Sequence, residues 1–183
     1  AFHDAVLTSK VKSARHAVAI DEPRVTFRPT LLGQGKVAEL NGAVQEQRGQ
    51  ARKLPLEDWE LPYQERWFPG VHGAVGGGGS RRGLSDEALS WVLWGARAAG
   101  LDIRTIDTSP IYSLTRNPFD ELRNESARGI ADRPPLVWLR RLLHRPRKGP
   151  TALDELALPT LRRWFAAPGE LPGTPRGSHG GGA

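Results

Sequence analysis

Residues 65–100 restrict the possible folds more than any other part of this chain, because three kinds of local structure succeed one another there with clear punctuation. Glu65-Arg-Trp-Phe68 is bulky and bounded by Pro62 before it and Pro69-Gly70 after it, the pattern of a short strand. Val71 to Gly83 holds His72, the glycine tract 76–79 and Ser80, which predicts a tight glycine-rich turn. A helix then follows. Ser85 is a natural N-cap, Asp86 and Glu87 sit in the first turn where the helix dipole favours acids, and Gly100 suits the left-handed closing position. Leu89, Val92, Leu93 and Ala96 form the expected buried stripe of that helix.

The flanks are read from the same signals. Val6, Leu7, Val11, Ala14, Ala17 and Val18 recur at steps of three and four, which predicts a helix to about Ile20, ended by Pro23. Val25 to Leu32 reads as a short extended or loop segment, and Gly33 to Asp58 as a polar surface excursion. Leu136 to His144 fits either a short strand or a helix end, and Arg145 to Pro150 fits a turn. Thr151 is placed to cap a helix running through Arg163-Trp164-Phe165. From Ala166 onward Pro and Gly dominate, so a disordered tail is expected over 166–183.

Composition removes several classes of chemistry. A chain of 183 residues is long enough for a substantial core. With no Cys there is no disulfide framework, no cysteine nucleophile and no thiolate zinc site. With no Met the chain reads as cut or excerpted from a longer translation. It carries 26 Lys plus Arg against 20 Asp plus Glu, a net charge of +6, and its pI is near 10.3. Only Lys10, Lys12, Lys36, Lys53 and Lys148 are lysines, so the excess is mostly arginine. No apolar run approaches the roughly 18 residues that a spanning helix needs, so a soluble chain is expected. Cytoplasmic residence and export without an N-terminal signal both stay open. The scattered Trp and Phe are expected to be mostly core anchors.

Five groups of residues could carry chemistry. His72, on a loop just past a strand and among small neighbours, could move protons at neutral pH; the bland alternative is a loop histidine beside a plain turn. The glycine run is no phosphate cradle, since no Lys follows it at the P-loop spacing. Ser80 narrowly misses a nucleophile elbow: Gly78 lies two residues before it, but Arg82 stands where the second Gly is required. His16, Asp21, Glu22 and Arg24 could form an acid/base or metal cluster, against which stands an ion-pair network that fixes a turn. Arg140 to Lys148 could meet anionic phosphate groups of lipid or nucleic acid, but no stacking platform of aromatics accompanies it, which argues against nucleic acid. On balance neither a cofactor nor a metal is expected.

Three stretches together resemble a known family. The first is His3-Asp4 … Ala14-Arg-His16-Ala-Val-Ala-Ile-Asp21-Glu22-Pro-Arg24 … Phe27-Arg-Pro29. The second is Trp67-Phe-Pro-Gly70-Val71-His72-Gly-Ala-Val75-Gly-Gly-Gly78 … Gly83-Leu-Ser85-Asp86 … Leu89-Ser-Trp91. The third and weakest is Arg147-Lys-Gly-Pro150 … Leu153-Asp-Glu155 … Arg163-Trp164. They look like the C-terminal half of the α/β-hydrolase family that includes the type VI secretion phospholipase effectors. The resemblance spans roughly residues 2–165.

The resemblance implies an α/β fold, the C-terminal part of an α/β-hydrolase-like sheet with covering helices and long loops. It implies the end of a catalytic domain over 1–112, a helical extension over 113–165 and the tail over 166–183. It also implies a Ser–Asp–His hydrolase acting on esters or phospholipids, with His72 as the base. The family's Gly-x-Ser-Arg-Gly elbow and its Trp-Asp-Thr pattern are not found in this chain, so both are expected before Ala1 and the chain alone is expected to be inactive. Many members read His-Ser-Asp-Val-Gly-Gly-Gly, whereas here the run is His72-Gly73-Ala74-Val75, without the Asp. The competing reading is a non-enzymatic basic module that binds anionic lipid or nucleic acid.

Overall fold

The computed structural model describes residues 7–52, 60–102, 113–122 and 148–166. Two strands, β1 (Ala14–Ala19) and β2 (Tyr63–Phe68), run parallel, with Ala14 opposite Tyr63 and Ala19 opposite Phe68. Parallel neighbours require a long crossover, and the connection contains α1 (Gln34–Arg52). The chain continues through α2 (His72–Gly76), α3 (Gly83–Ala98), a 3-10 turn at Leu153–Glu155 and α4 (Leu158–Trp164). Leu156 forms a parallel bridge with Trp67, so a third extended piece lies beside β2. The architecture is α/β.

The stretch expected to be a helix up to Ile20 is instead β1, preceded by turns. Steps of three and four are also compatible with alternation when both faces are covered. Ala14, with Tyr63, packs against Val37 and Leu40 of α1 and against Leu7. Ala17 and Ala19, on the opposite face, pack with Phe68, Val75, Ala88 and Trp91. The polar stretch after Gly33 is likewise not a surface excursion up to residue 52, because α1 occupies it. Its apolar contacts come from Val37, Leu40 and Val44, a stripe too narrow to dominate the composition yet wide enough to seat one face. Asn41, buried in that interface, gives its Nδ2–H to the Tyr63 carbonyl and accepts the Tyr63 N–H on Oδ1. Asn41→Ala is expected to cost about 1–3 kcal/mol, because two buried backbone groups lose their partner. Urea unfolding would measure that loss.

β2 and the helix after the glycines lie where the sequence puts them, but details differ. The helix begins at Gly83, and Ser85 is not its N-cap: the Ser85 hydroxyl donates to the Arg82 carbonyl. Ala88, with Trp91 half-buried, packs on the sheet, Gly95 is buried against Arg15, and Leu84 packs on Val71 and Ala74, while Leu89 is exposed. Small residues win that face because the helix sits close to β1. A Cβ at Gly95 would collide with the Arg15 side chain. That side chain crosses the gap to donate to the Trp91 carbonyl, with its guanidinium over the rings of Trp91 and Trp94 at 4.8 and 5.0 Å. The helix end is as the sequence predicts. Gly100 has φ +97° and donates to the Arg97 carbonyl while Leu101 donates to that of Ala96, a Schellman closure.

Thr151 does not cap a helix through 163–165. Its hydroxyl donates to Glu155 across the 3-10 turn, and α4 starts afresh at Leu158 with Pro159 in its first turn. Between them, the Ala157 N–H and the Thr160 hydroxyl both donate to the Trp67 carbonyl, fixing this segment to β2. Trp67 and Phe68 are core anchors, but Phe27, Trp94, Trp164 and Phe165 are exposed. The segment 136–144 and the tail from 167 onward lie outside the described residues, and of Arg140 to Lys148 only the exposed Lys148 is described.

Candidate active site

Both strands end at the same edge of the molecule, and their carboxyl ends are stitched together. The Ile20 N–H donates to the Phe68 carbonyl and the Asp21 N–H to that of Gly70. In return the Gly70 N–H donates to Asp21 Oδ2 at 2.6 Å. Gly70 has φ +111°, and a Cβ there would lie 2.9 Å from the Ala74 Cβ and 3.1 Å from Leu84 Cδ1. Only glycine fits this turn without strain. Gly70→Ala is expected to destabilise the fold by about 2 kcal/mol, the cost of a strained left-handed residue with no room for its methyl. Thermal melting of the variant would measure it.

After Gly70 the chain turns into α2, whose first residue is His72. The Val71 N–H donates to the Leu122 carbonyl, and Val71, Ala74 and Leu84 pack as one cluster. With Val71 and Ala74 turned inward, the His72 side chain stands exposed. The position where many family members carry Asp is Ala74, which is buried in this cluster.

Glu22 holds His72 by its backbone. This carboxylate is 1% exposed, and Oε2 accepts the His72 N–H at 3.0 Å. Arg24 supplies three further donors to it: its backbone N–H and Nε to Oε1, and Nη2 to Oε2. Burial alone would raise the Glu22 pKa. The Arg24 guanidinium, the two backbone N–H donors and the Arg24 charge outweigh burial and bring it down to about 2. The same guanidinium lies 3.9 Å above the Phe27 ring, and Phe27 in turn packs at 5.0 Å against the imidazole of His72. Four residues thus run Glu22, Arg24, Phe27, His72 as one contact chain.

The imidazole faces a cleft of about 430 Å³ between β1, α2 and α3. Ala17 and Ala19 form its floor, Gly76, Gly78 and Gly79 one rim, and Ser85, Leu89 and Val92 the opposite wall. Leu89 and Val92, expected in the core, therefore line this cleft. Asp86 also borders it, but its oxygens accept from the Thr115 N–H and from Arg82. Among the described residues no side chain hydrogen-bonds the imidazole.

The other sequence candidates separate in space. His16 does not join Asp21, Glu22 and Arg24; its Nδ1 meets the buried Glu65 at 2.8 Å, and the Leu32 N–H donates to the same oxygen. Glu22 and Arg24 form the turn-fixing ion pair that was the plainer alternative. Ser80 is exposed on the turn and does not line the His72 cleft. Sequence reasoning missed the link from Glu22 and Phe27 to His72. The only trace of it is the close spacing of Asp21-Glu22-Pro-Arg24 before a Phe.

The family described as "T6SS, Phospholipase effector Tle1-like, catalytic domain" matches residues 1–94. This chain belongs to that family. The matched region contains β1, α1, β2, His72 and most of α3. The Tle1-like family is one of phospholipase effectors, so lipid is the substrate class it implies. No curated protein and no solved structure matches the chain.

Proposed function

We propose that His72 is the general base of a serine ester hydrolase acting on phospholipid. The observation that carries the reading is the Tle1-like match over 1–94, which includes an exposed histidine at the carboxyl end of a parallel strand, beside a cleft. In α/β enzymes ligands bind at the carboxyl ends of the strands. The β1–α1–β2 unit is compatible with two neighbouring strands of an α/β-hydrolase sheet.

In the proposed reaction the His72 imidazole takes the proton from a serine hydroxyl as that oxygen attacks the ester carbonyl carbon. It then returns the proton to the departing alcohol, and repeats the exchange with water to free the acid. Glu22 contributes by fixing the backbone at residue 72, and Phe27 by limiting the rotation of the ring. Both are positioning residues. Ala74 leaves the base without the carboxylate that many relatives place two residues after it.

The serine elbow and its acid are not among the 183 residues, so the reading includes an inactive isolated chain. Losing the nucleophile of such a triad costs about 10⁶-fold in turnover. Assaying the purified chain with short acyl esters checks this. No His72-dependent turnover is expected, and turnover lost in His72→Ala would refute an inactive chain.

A further inference from the structure

α3 packs on β1, and beside it, over the same face of β2, lies a groove of about 810 Å³. Alternate residues of β2, Gln64, Arg66 and Phe68, reach its floor, as strand geometry requires of one face. One wall is the side of α3 that carries Trp91, Trp94 and Arg97. The other is the segment beside β2, with Leu153, Leu158 and Arg162. Trp94, Leu153 and Leu158 are exposed there, so apolar surface lines a concave site. The groove shares no lining residue with the His72 cleft, which uses another side of α3.

The lining is also basic. Five arginines, at 15, 66, 97, 116 and 162, face two acids, Glu87 and Asp154. Arg15 is stacked on Trp91 and Trp94. Arg97, Arg116 and Arg162 are exposed and form no ion pair among the described residues. We propose that this groove docks an acidic amphipathic helix of a partner protein. Its apolar side chains would lie between Trp94 and Leu158, and its carboxylates would meet Arg97, Arg116 and Arg162.

Shape and charge select that occupant. Sheet faces in α/β folds are covered by helices, and the open space here begins where α3 ends its cover. An added strand needs the unpaired backbone of a sheet edge, whereas this floor presents side chains. A flat surface would meet the two walls and miss the recessed floor. A second copy of this chain brings a net charge of +6 towards five arginines, and like charges across an interface are unfavourable. An acidic helix complements both the arginines and the apolar lining. The docking does not depend on the role given to His72, and its test needs no turnover.

Fluorescence anisotropy with the whole chain decides the matter. The probe is a labelled peptide of about 18 residues, long enough to hold a helix, with leucines at helical spacing and glutamate and alanine elsewhere. It should bind at least about tenfold more tightly than the same peptide with lysine for glutamate, and more weakly at high salt. Arg97→Gln with Arg162→Gln should weaken binding about tenfold, since two charge pairs are lost. Leu158→Ser should weaken it about tenfold through lost apolar contact. Arg48→Gln, exposed on α1 across the sheet, should change nothing. All these side chains are exposed, so melting should be unchanged; a variant that melts early is replaced by Arg116→Gln, which must weaken binding about threefold. The proposal is overturned if the lysine peptide binds as well as the acidic one, or if the double arginine variant binds like wild type. Equal weakening by Arg48→Gln would overturn it too, since overall charge and not the groove would then be read. So would groove variants that dissolve a dimer of the chain, because a second copy would then be the occupant.

Discussion

Glu22→Gln is expected to lower the stability of the chain by about 3–5 kcal/mol, because it breaks a buried ion pair by removing one partner. The amide keeps an acceptor for one of the two backbone N–H groups, of His72 and Arg24, that now share the carboxylate. It leaves the Arg24 guanidinium without its counter-charge. Arg24 retains some water, so the lower end of that range is the better expectation, a fall in melting temperature of about 6–12 °C for a chain of this size. The difference depends on pH. The folded Glu22 pKa lies near 2, below its ordinary value of 4.5, so the unfolded chain binds the proton more readily. The stabilisation is therefore complete above about pH 4.5 and disappears as pH falls towards 2, where the wild type and Glu22→Gln melting curves should converge. Melting both proteins between pH 7 and pH 2 checks this directly. A constant gap down to pH 2 would show that the ion pair is not what Glu22 contributes.

The second large effect concerns His72. In a polypeptide joining this chain to a Gly-x-Ser-Arg-Gly elbow and its acid, His72→Ala is expected to reduce kcat by about 10⁶-fold, comparable to removing the serine itself. KM should change little, because a base contributes to the transition state and not to binding of the ground state. Stability should hardly change, since the imidazole is exposed and its contact with Phe27 is a surface packing. Phe27→Ala should sit between the two, with kcat lowered about 10²-fold by misplacement of the ring and melting close to wild type. Steady-state kinetics on both variants distinguishes a base from a structural residue. A His72→Ala enzyme that keeps more than a few per cent of its kcat would remove His72 from the mechanism.

The parts of this fold that could be read from sequence are those governed by local rules. Gly100 closes α3 because a left-handed residue is needed there, and Pro62 and Pro69 mark the limits of β2, which extends over Tyr63–Phe68. What sequence could not give was decided by distant partners. β1 imitates a helix because its alanines and Val18 pack against different elements on its two faces, so the period of the strand is hidden. α1 looked like a polar loop because three apolar side chains and Asn41 suffice to attach it. Leu89 and Val92, from the stripe assigned to the core of α3, line a cleft instead, since Gly95 and Ala88 let the helix approach β1 on the other face.

The site shows the same division. His72 could be picked out, because a histidine between a strand end and a glycine tract is chemically suggestive by itself. Its supports could not, because Glu22 lies 50 residues earlier in the chain and acts through a backbone N–H. Sequence grouped Glu22 with His16, its near neighbour, but strand pairing carries His16 to Glu65 and leaves Glu22 to the turn. The exposed aromatics of α4 follow no local rule either. Trp164 and Phe165 read as core, yet both stand exposed where the helix ends.

The most direct test of the reading is ester turnover measured twice, on the isolated chain and on the same chain joined to a segment that carries the serine elbow and its acid. Turnover of phospholipid should be absent from the first, present in the second, and lost again from the second on His72→Ala. Hydrolysis by the isolated chain, or hydrolysis by the joined protein that survives His72→Ala, would contradict the assignment of this chain as the part of a serine hydrolase that carries its base.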